Sequence, residues 1–338
     1  MIQNFVTDAV FPQNVTHDVQ EIYGLKQISS HTYRGNLPLQ KPMKKARGAY
    51  GGNLVAQAVA VAIKSSPHGF RPHSLHSYFV KAVNDQDVVD YDVEEISNGK
   101  SFVNRAIKAK QNGQVVYTAN ISLTKNNSHL EAWKRYNEAK ANNHPNAEQL
   151  KPFEFSTPPH DWFDKYEIEK LPIGAANANL LFYHKVFPEL VDLELTKHEE
   201  KIPIAERKFS YMVKWGIENE QGFNQPLTNV DPDFKYVGLA SLSDSIFLTR
   251  LMRVLRIEGV DHTDLVHYFS VSLDHSLFFH DDDFDVTKWM GVTFKVSRCG
   301  HNRVLIEGKI YNHKKIHVAT FVQEGLVQFG GREEGAKL

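Results

Sequence analysis

Cysteine is almost missing. Cys299 stands alone in 338 residues, so no intramolecular disulfide can form and zinc sites built from several cysteines are excluded. Such usage suits a reducing, intracellular compartment. A surplus of charge is missing too: 39 Lys and Arg against 40 Asp and Glu leave a formal net charge of -1. The chain therefore has no global field to attract nucleic acid or an anionic membrane. No apolar run is long enough to span a bilayer, and the N-terminus, Met1 to Asp8, lacks the basic start and apolar core of a secretory signal. A soluble protein is expected, with no nucleic-acid partner and no membrane span. Neither a Gly-x-Ser-x-Gly elbow nor a His-Glu-x-x-His pair occurs, and no metal or cofactor is expected.

What is present suffices for a substantial core. Hydrophobic residues make up 41% and charged ones 23%, as in ordinary globular proteins. A length of 338 residues favours two domains. Residues 1–20 show little periodicity and read as an arm, and from Glu21 the pattern turns strand-like. Tyr50-Gly51-Gly52 then opens a segment, Asn53 to Ile63, that is apolar except for Asn53 and Gln57 and reads as a buried helix. Four strand candidates follow the Pro67-His68-Gly69 break: Ser74–Val80, Val88–Ile96, Ser101–Gln111 and Val115–Thr124. Asn98-Gly99 and Asn112-Gly113 read as tight hairpin turns needing positive φ. Strand, long helix, then antiparallel meander favours a sheet wrapped around one helix over a parallel nucleotide-binding fold.

The unit recurs at roughly 200 residues' spacing: Asn112–Asn120 resembles Asn312–Thr320, His76-Ser77 resembles His275-Ser276, and Asn98-Gly99 corresponds to a turn at Cys299-Gly300. A duplicated domain is the reading. Between the copies, Lys125 to Lys201 is poor in periodicity apart from a helix candidate at Leu130–Lys140. Its aromatics Phe153, Phe155, Trp162, Phe163 and Tyr166 predict that it packs.

The stretch that carries chemistry runs from Tyr236 to His280. Leu239, Ala240, Leu242, Ile246, Phe247, Leu248, Leu251 and Met252 recur at helical spacing and cover most of a helix's circumference, so the segment predicts a helix embedded in the core. It carries one acid, Asp244. A buried carboxylate is costly without hydrogen-bonded partners, and placement in the first turns of the helix would let the positive dipole end favour its ionised form. Asp244 either does chemistry or merely satisfies Ser241, Ser243 or a backbone group. Ser272–His280 reads as one strand of alternating character.

Tyr50–Ala58, His73–Phe79, Ser101–Arg105, Leu273–His280 and Val322-Gln323-Glu324-Gly325 together resemble the acyl-CoA thioesterase II family, bacterial and peroxisomal enzymes of α+β, tandem double hotdog fold. The likeness runs from about Glu21 to Phe329 in the family's order. It implies an arm (1–20), a first hotdog domain (21–125), a linker (126–200), a second hotdog domain with the catalytic set (201–329) and a flexible tail (330–338). It further implies hydrolysis of fatty acyl-CoA to free fatty acid and coenzyme A. By motif position the family's acid, hydroxyl and amide fall on Asp244, Ser272 and Gln323. The family often has Thr where this chain has Ser272; the hydroxyl survives, with a less rigid χ1. Asp244 would act as general base on a water held by Ser272 and Gln323. Backbone amides near Gly51 and Gly52 would serve the oxyanion, and Lys44, Lys45, Arg47, Arg298 or Arg303 could meet the phosphates of coenzyme A.

Other readings stay open. A hotdog enoyl-CoA hydratase would favour an Asp and His pair, and a non-catalytic acyl-CoA-binding protein would keep the fold alone. Ser272 with His275 or His280 suggests a nucleophilic pair, although all three lie on one strand. His73, His76 and His275 read as structural or pocket-lining rather than metal-binding. Asp281–Asp285 starts like a calcium loop, but Val286 and Val292 replace the Gly and Glu such a loop needs. The tail ends Ala336-Lys337-Leu338, a close variant of the Ser-Lys-Leu peroxisomal address, so an import receptor is an expected partner and the peroxisomal matrix the expected location, with the cytoplasm as alternative. Exposed strands would allow a homo-oligomer.

Overall fold

The computed structural model describes residues 18–42, 46–177, 182–219, 222–225, 227, 231–245, 248–257 and 268–329. The first half contributes strands β1 (Leu25–Ser29), β2 (Thr32–Gly35), β3 (Arg71–Phe79), β4 (Asp90–Asn98), β5 (Phe102–Gln111) and β6 (Gln114–Thr124). Next come β7 (Ile173–Asn177), β8 (Phe182–Val186), β9 (Phe209–Trp215) and a small separate hairpin, β10 (Ile217–Asn219) with β11 (Gly222–Gln225). The chain ends with β12 (Tyr268–Ser272), β13 (Asp274–Phe279), β14 (Met290–Gly300), β15 (Arg303–Tyr311) and β16 (His317–Phe329). Apart from the hairpin these form one antiparallel sheet in the order β1-β2-β4-β5-β6-β3-β13-β16-β15-β14-β9-β8-β7, with β12 also paired to β16. The seam between halves is β3 against β13, in register from Asp274–Tyr78 to Phe278–Ser74.

Each half wraps its sheet around a helix, Gly51–Lys64 in the first and Phe234–Leu242 in the second. The first is buried all round from Gly52 to Ala62, as its Ala and Val content requires. Its two polar side chains find partners: Asn53 Oδ1 accepts from Tyr23 and Gln57 Oε1 accepts from the Tyr91 hydroxyl at 2.7 Å. The two helices pack on each other, and the Tyr50 hydroxyl donates to the Ser241 carbonyl across that contact at 2.7 Å. A Cβ on Gly52 would lie 2.5 Å from the same carbonyl, so only glycine lets the helices approach this closely.

Several expectations change. The Asn112-Gly113 turn has φ of 52° and 77°, as its sequence predicts. Positive φ does not occur at Asn98 or Gly99, and the second-half counterpart turns at His301-Asn302 rather than Cys299-Gly300, which end β14. The His-Ser pairs are not equivalent. They sit side by side across the seam, Ser77 opposite His275 and His76 opposite Ser276, with His275 and Ser77 inward and His76 exposed. A one-residue offset in a strand exchanges the faces, and repeat matching cannot detect it.

The expected linker is partly sheet: β7 and β8 extend the second half's edge beyond β9. Its predicted helix forms at His129–Ala141, with Ser128 accepting from the Glu131 amide. Trp162 and Phe163 are buried, whereas Phe153 and Phe155 are 89% and 87% exposed, against the expectation that all the aromatics pack. Glu199, also from this segment, is buried between Arg253 (2.8 Å) and Arg256 (3.4 Å), which fastens it to the second half. No described helix is long and apolar enough to cross a membrane.

Candidate active site

The helix expected across Tyr236–Met252 stops at Leu242. Ser243, Asp244 and Ser245 form a turn, Ile246 and Phe247 lie outside the described residues, and Leu251–Leu255 is a separate short helix. Asp244 therefore follows the carboxyl end of its own helix, whose dipole disfavours a negative charge, instead of lying in the first turns. Compensation comes from the other half. The Gly52 amide, at the amino end of the first-half helix, donates to the Asp244 carboxylate. A Cβ on Gly51 would stand 2.7 Å from Asp244 Oδ2 and 2.8 Å from the Phe79 ring.

The second partner set comes from β12 and β16. Ser272–His280 is not one strand: β12 pairs Ser272 with Gly325, while β13 pairs Ser276 with Val322, so the register slips by one residue between them. The Leu273 amide donates to the Glu324 carbonyl, and Asp274 Oδ1 accepts from the Glu324 amide, which holds the irregularity in place. Simple alternation from inward-facing His275 would turn Ser272 outward. The slip brings it inward, onto the face that carries Gln323.

The three side chains meet. Gln323 Nε2 donates to Asp244 Oδ1 at 2.7 Å and to Ser272 Oγ at 2.6 Å, and the Ser272 hydroxyl lies 3.5 Å from the same carboxylate oxygen. Gln323 is 1% exposed, whereas Asp244 and Ser272 are half-buried as residues. Loss of hydration raises the Asp244 carboxyl from its ordinary 3.8 to about 7, and the Gln323, Gly52 and Ser272 donors hold it down. A carboxylate poised there can both accept and release a proton near neutrality.

The Gly52 amide is thus a partner of the acid, which leaves the expected role of that amide at an oxyanion unsupported. Sequence reasoning singled out the glycine pair but not its target; the signal was two adjacent glycines opening a helix. Ser272 pairs with neither His275 nor His280: Ser272 bonds Gln323, His275 bonds Ser243, and His280 bonds Thr320. Nor does an Asp–His pair form at Asp244. His73 and His76 bond Ser122 and Ser276. Among the described residues no cluster of three metal-ligating side chains occurs, and the Asp281 carboxylate accepts from the His129 and Asp282 amides. Of the basic candidates, Arg47 sits over the Phe269 ring of β12 at 5.4 Å and Arg303 pairs with Glu324 at 3.7 Å. Lys44, Lys45 and the tail residues Ala336, Lys337 and Leu338 lie outside the described residues.

Comparison with known proteins agrees with this architecture in both halves. The acyl-CoA thioesterase N-terminal domain family matches residues 39–124 and the acyl-CoA thioesterase C-terminal domain family matches residues 225–327. Peroxisomal acyl-coenzyme A thioester hydrolase 1 of Saccharomyces cerevisiae is 26% identical, over 86% of this chain and 88% of the relative. Human acyl-coenzyme A thioesterase 8 is 25% identical over 95% and 92%. Among solved structures, the acyl-CoA thioesterase II TesB2 of Mycobacterium marinum superposes with a TM-score of 0.64 at 20% identity, over 94% of this chain and 99% of that one. Domain matches that cover more than half of the sequence, and a double hotdog fold shared end to end with solved thioesterases, place this chain in the acyl-CoA thioesterase II family, as an acyl-CoA thioesterase.

Proposed function

We propose that the protein hydrolyses fatty acyl-CoA thioesters with a water activated by Asp244 and held by Ser272 and Gln323. The observation that carries this reading is the convergence of one amide nitrogen on both the carboxylate, at 2.7 Å, and the hydroxyl, at 2.6 Å. In the reaction, Asp244 takes a proton from the water as its oxygen attacks the thioester carbonyl. The tetrahedral intermediate then expels coenzyme A thiolate, which takes the proton held by Asp244, and the fatty acid departs. No acyl-enzyme forms, in keeping with the lack of a histidine beside Ser272. The missing Asp–His pair also speaks against enoyl-CoA hydration. The catalytic set belongs to the second hotdog domain, taken as 201–329, and is completed by Gly52 from the first, taken as 21–125, with 126–200 between them.

Release of free coenzyme A from a mid-chain acyl-CoA, followed with a thiol reagent, tests the activity. Binding without release would leave a non-catalytic acyl-CoA carrier as the reading.

The Ala336-Lys337-Leu338 terminus and the peroxisomal relative from yeast support import by the peroxisomal receptor and a role in fatty acid metabolism in that matrix. Deleting the tripeptide should leave turnover intact and move a fluorescent fusion to the cytoplasm; unchanged localisation would refute the address. The exposed edge strand β1 also supports self-association, which light scattering would measure.

A further inference from the structure

The register that seats Gln323 also brings His275 beside it: Ser276 faces Val322 in β13–β16 and the Leu273 amide bonds the Glu324 carbonyl, so Asp274 and His275 together fall opposite Gln323. Both side chains are buried, and the imidazole is stacked on Phe321, with ring centroids 6.2 Å apart and planes 22° apart. His275 Nε2 lies 2.8 Å from the hydroxyl of Ser243, the residue before Asp244. His275 Nδ1 and Gln323 Oε1 are left as buried polar atoms without a well-aligned partner. Burial pushes the imidazole down to about 4, so it is neutral with one ring hydrogen, while acceptance by the Gln323 side chain favours its protonation.

The place of that hydrogen follows from counting donors. On Nε2 it would leave two buried acceptors, Nδ1 and Oε1, without a donor, which is costly away from water. On Nδ1 it serves Oε1. The Ser243 hydroxyl, a rotor that otherwise donates to the Ala240 carbonyl, then donates to Nε2. We propose that His275, as the Nδ1–H tautomer, is a positioning residue that fixes the Gln323 amide with its carbonyl toward the imidazole and its NH₂ toward Asp244 and Ser272. An inverted amide would aim its oxygen at the carboxylate and withdraw both donors. This inference rests on the reading of Gln323 as a water-holding group.

The test compares His275→Asn, whose amide nitrogen falls near the Nδ1 position, with His275→Gln, which reaches toward the Nε2 position, each alone and combined with Gln323→Ala. The Asn variant should retain a kcat at least ~10-fold above that of the Gln variant with KM nearly equal, and His275→Gln should add less than ~3-fold to the loss in Gln323→Ala. Equal kcat values, or losses that multiply independently, would overturn the inference. In the unaltered protein, imidazole nitrogen shifts in NMR should show His275 protonated at Nδ1; protonation at Nε2 would overturn it without reliance on any variant's folding. Native turnover in Gln323→Ala alone would instead remove the underlying reading of the site, and with it this inference.

Discussion

Asp244 Oδ1 and Gln323 Nε2 stand 79 positions apart in sequence and 2.7 Å apart in space. The carboxyl is raised to about 7 by loss of hydration, against the pull of that donor. A general base works ionised, so kcat/KM should climb with pH through about 7 and level off above it. Gln323→Ala removes a group that lowers the pKa, so its rising limb should shift to higher pH. A limb that stays in place, or one near the ordinary carboxylate range, would contradict the assignment.

Stability should move the other way. Folding favours the neutral acid, so Asp244 contributes most below its unfolded value of 3.8, and the contribution is lost as pH rises through about 7. Urea denaturation of Asp244→Asn should show a gain over the native chain at pH 8 that shrinks towards pH 4.

Ser272 supplies a hydroxyl and nothing larger. Ser272→Ala should lower kcat by ~10–10², whereas Ser272→Thr, which keeps the oxygen, should stay within about threefold of the native enzyme. Steady-state kinetics on one acyl-CoA distinguishes these outcomes from a purely structural serine, for which Ala would be tolerated.

The glycine pair separates function from assembly. Gly51→Ala would push a methyl into Asp244 and the Phe79 ring, and should depress kcat strongly with a modest change in Tm. Gly52→Ala meets the Ser241 carbonyl and the Tyr50 ring, and should destabilise the contact between halves by about 1–3 kcal/mol, as overpacking does.

The buried Glu199 between Arg253 and Arg256 offers a test remote from chemistry. Glu199→Ala leaves the buried Arg253 guanidinium without its counter-ion, and Arg256 with Glu200 alone, and should cost ~3–5 kcal/mol by urea denaturation. A loss below about 1 kcal/mol would show that solvent reaches the cluster.

The parts legible in the sequence are those that local physics decides. The first-half helix is apolar on every side, and the β3–β6 strands alternate between turns, so both could be read from single stretches. Asp244, Ser272 and Gln323 could be named only through the family's motif order, because nothing local brings residues from a turn and two strands to one point. The break after Leu242 was hidden by apolar residues that continue at helical spacing on its far side. The slip between Ser272 and Asp274 was hidden because alternation counts residues but not register. Gly52's service to Asp244 depends on how two helices from different halves cross, which no single segment encodes.

Turnover of Asp244→Asn bears most directly on the central claim. The substitution keeps size and an acceptor for Gln323 but cannot take a proton from water. With circular dichroism and Tm showing a folded protein, kcat should fall by at least ~10² at pH 8. A folded Asn variant that releases coenzyme A at close to the native rate would contradict the account.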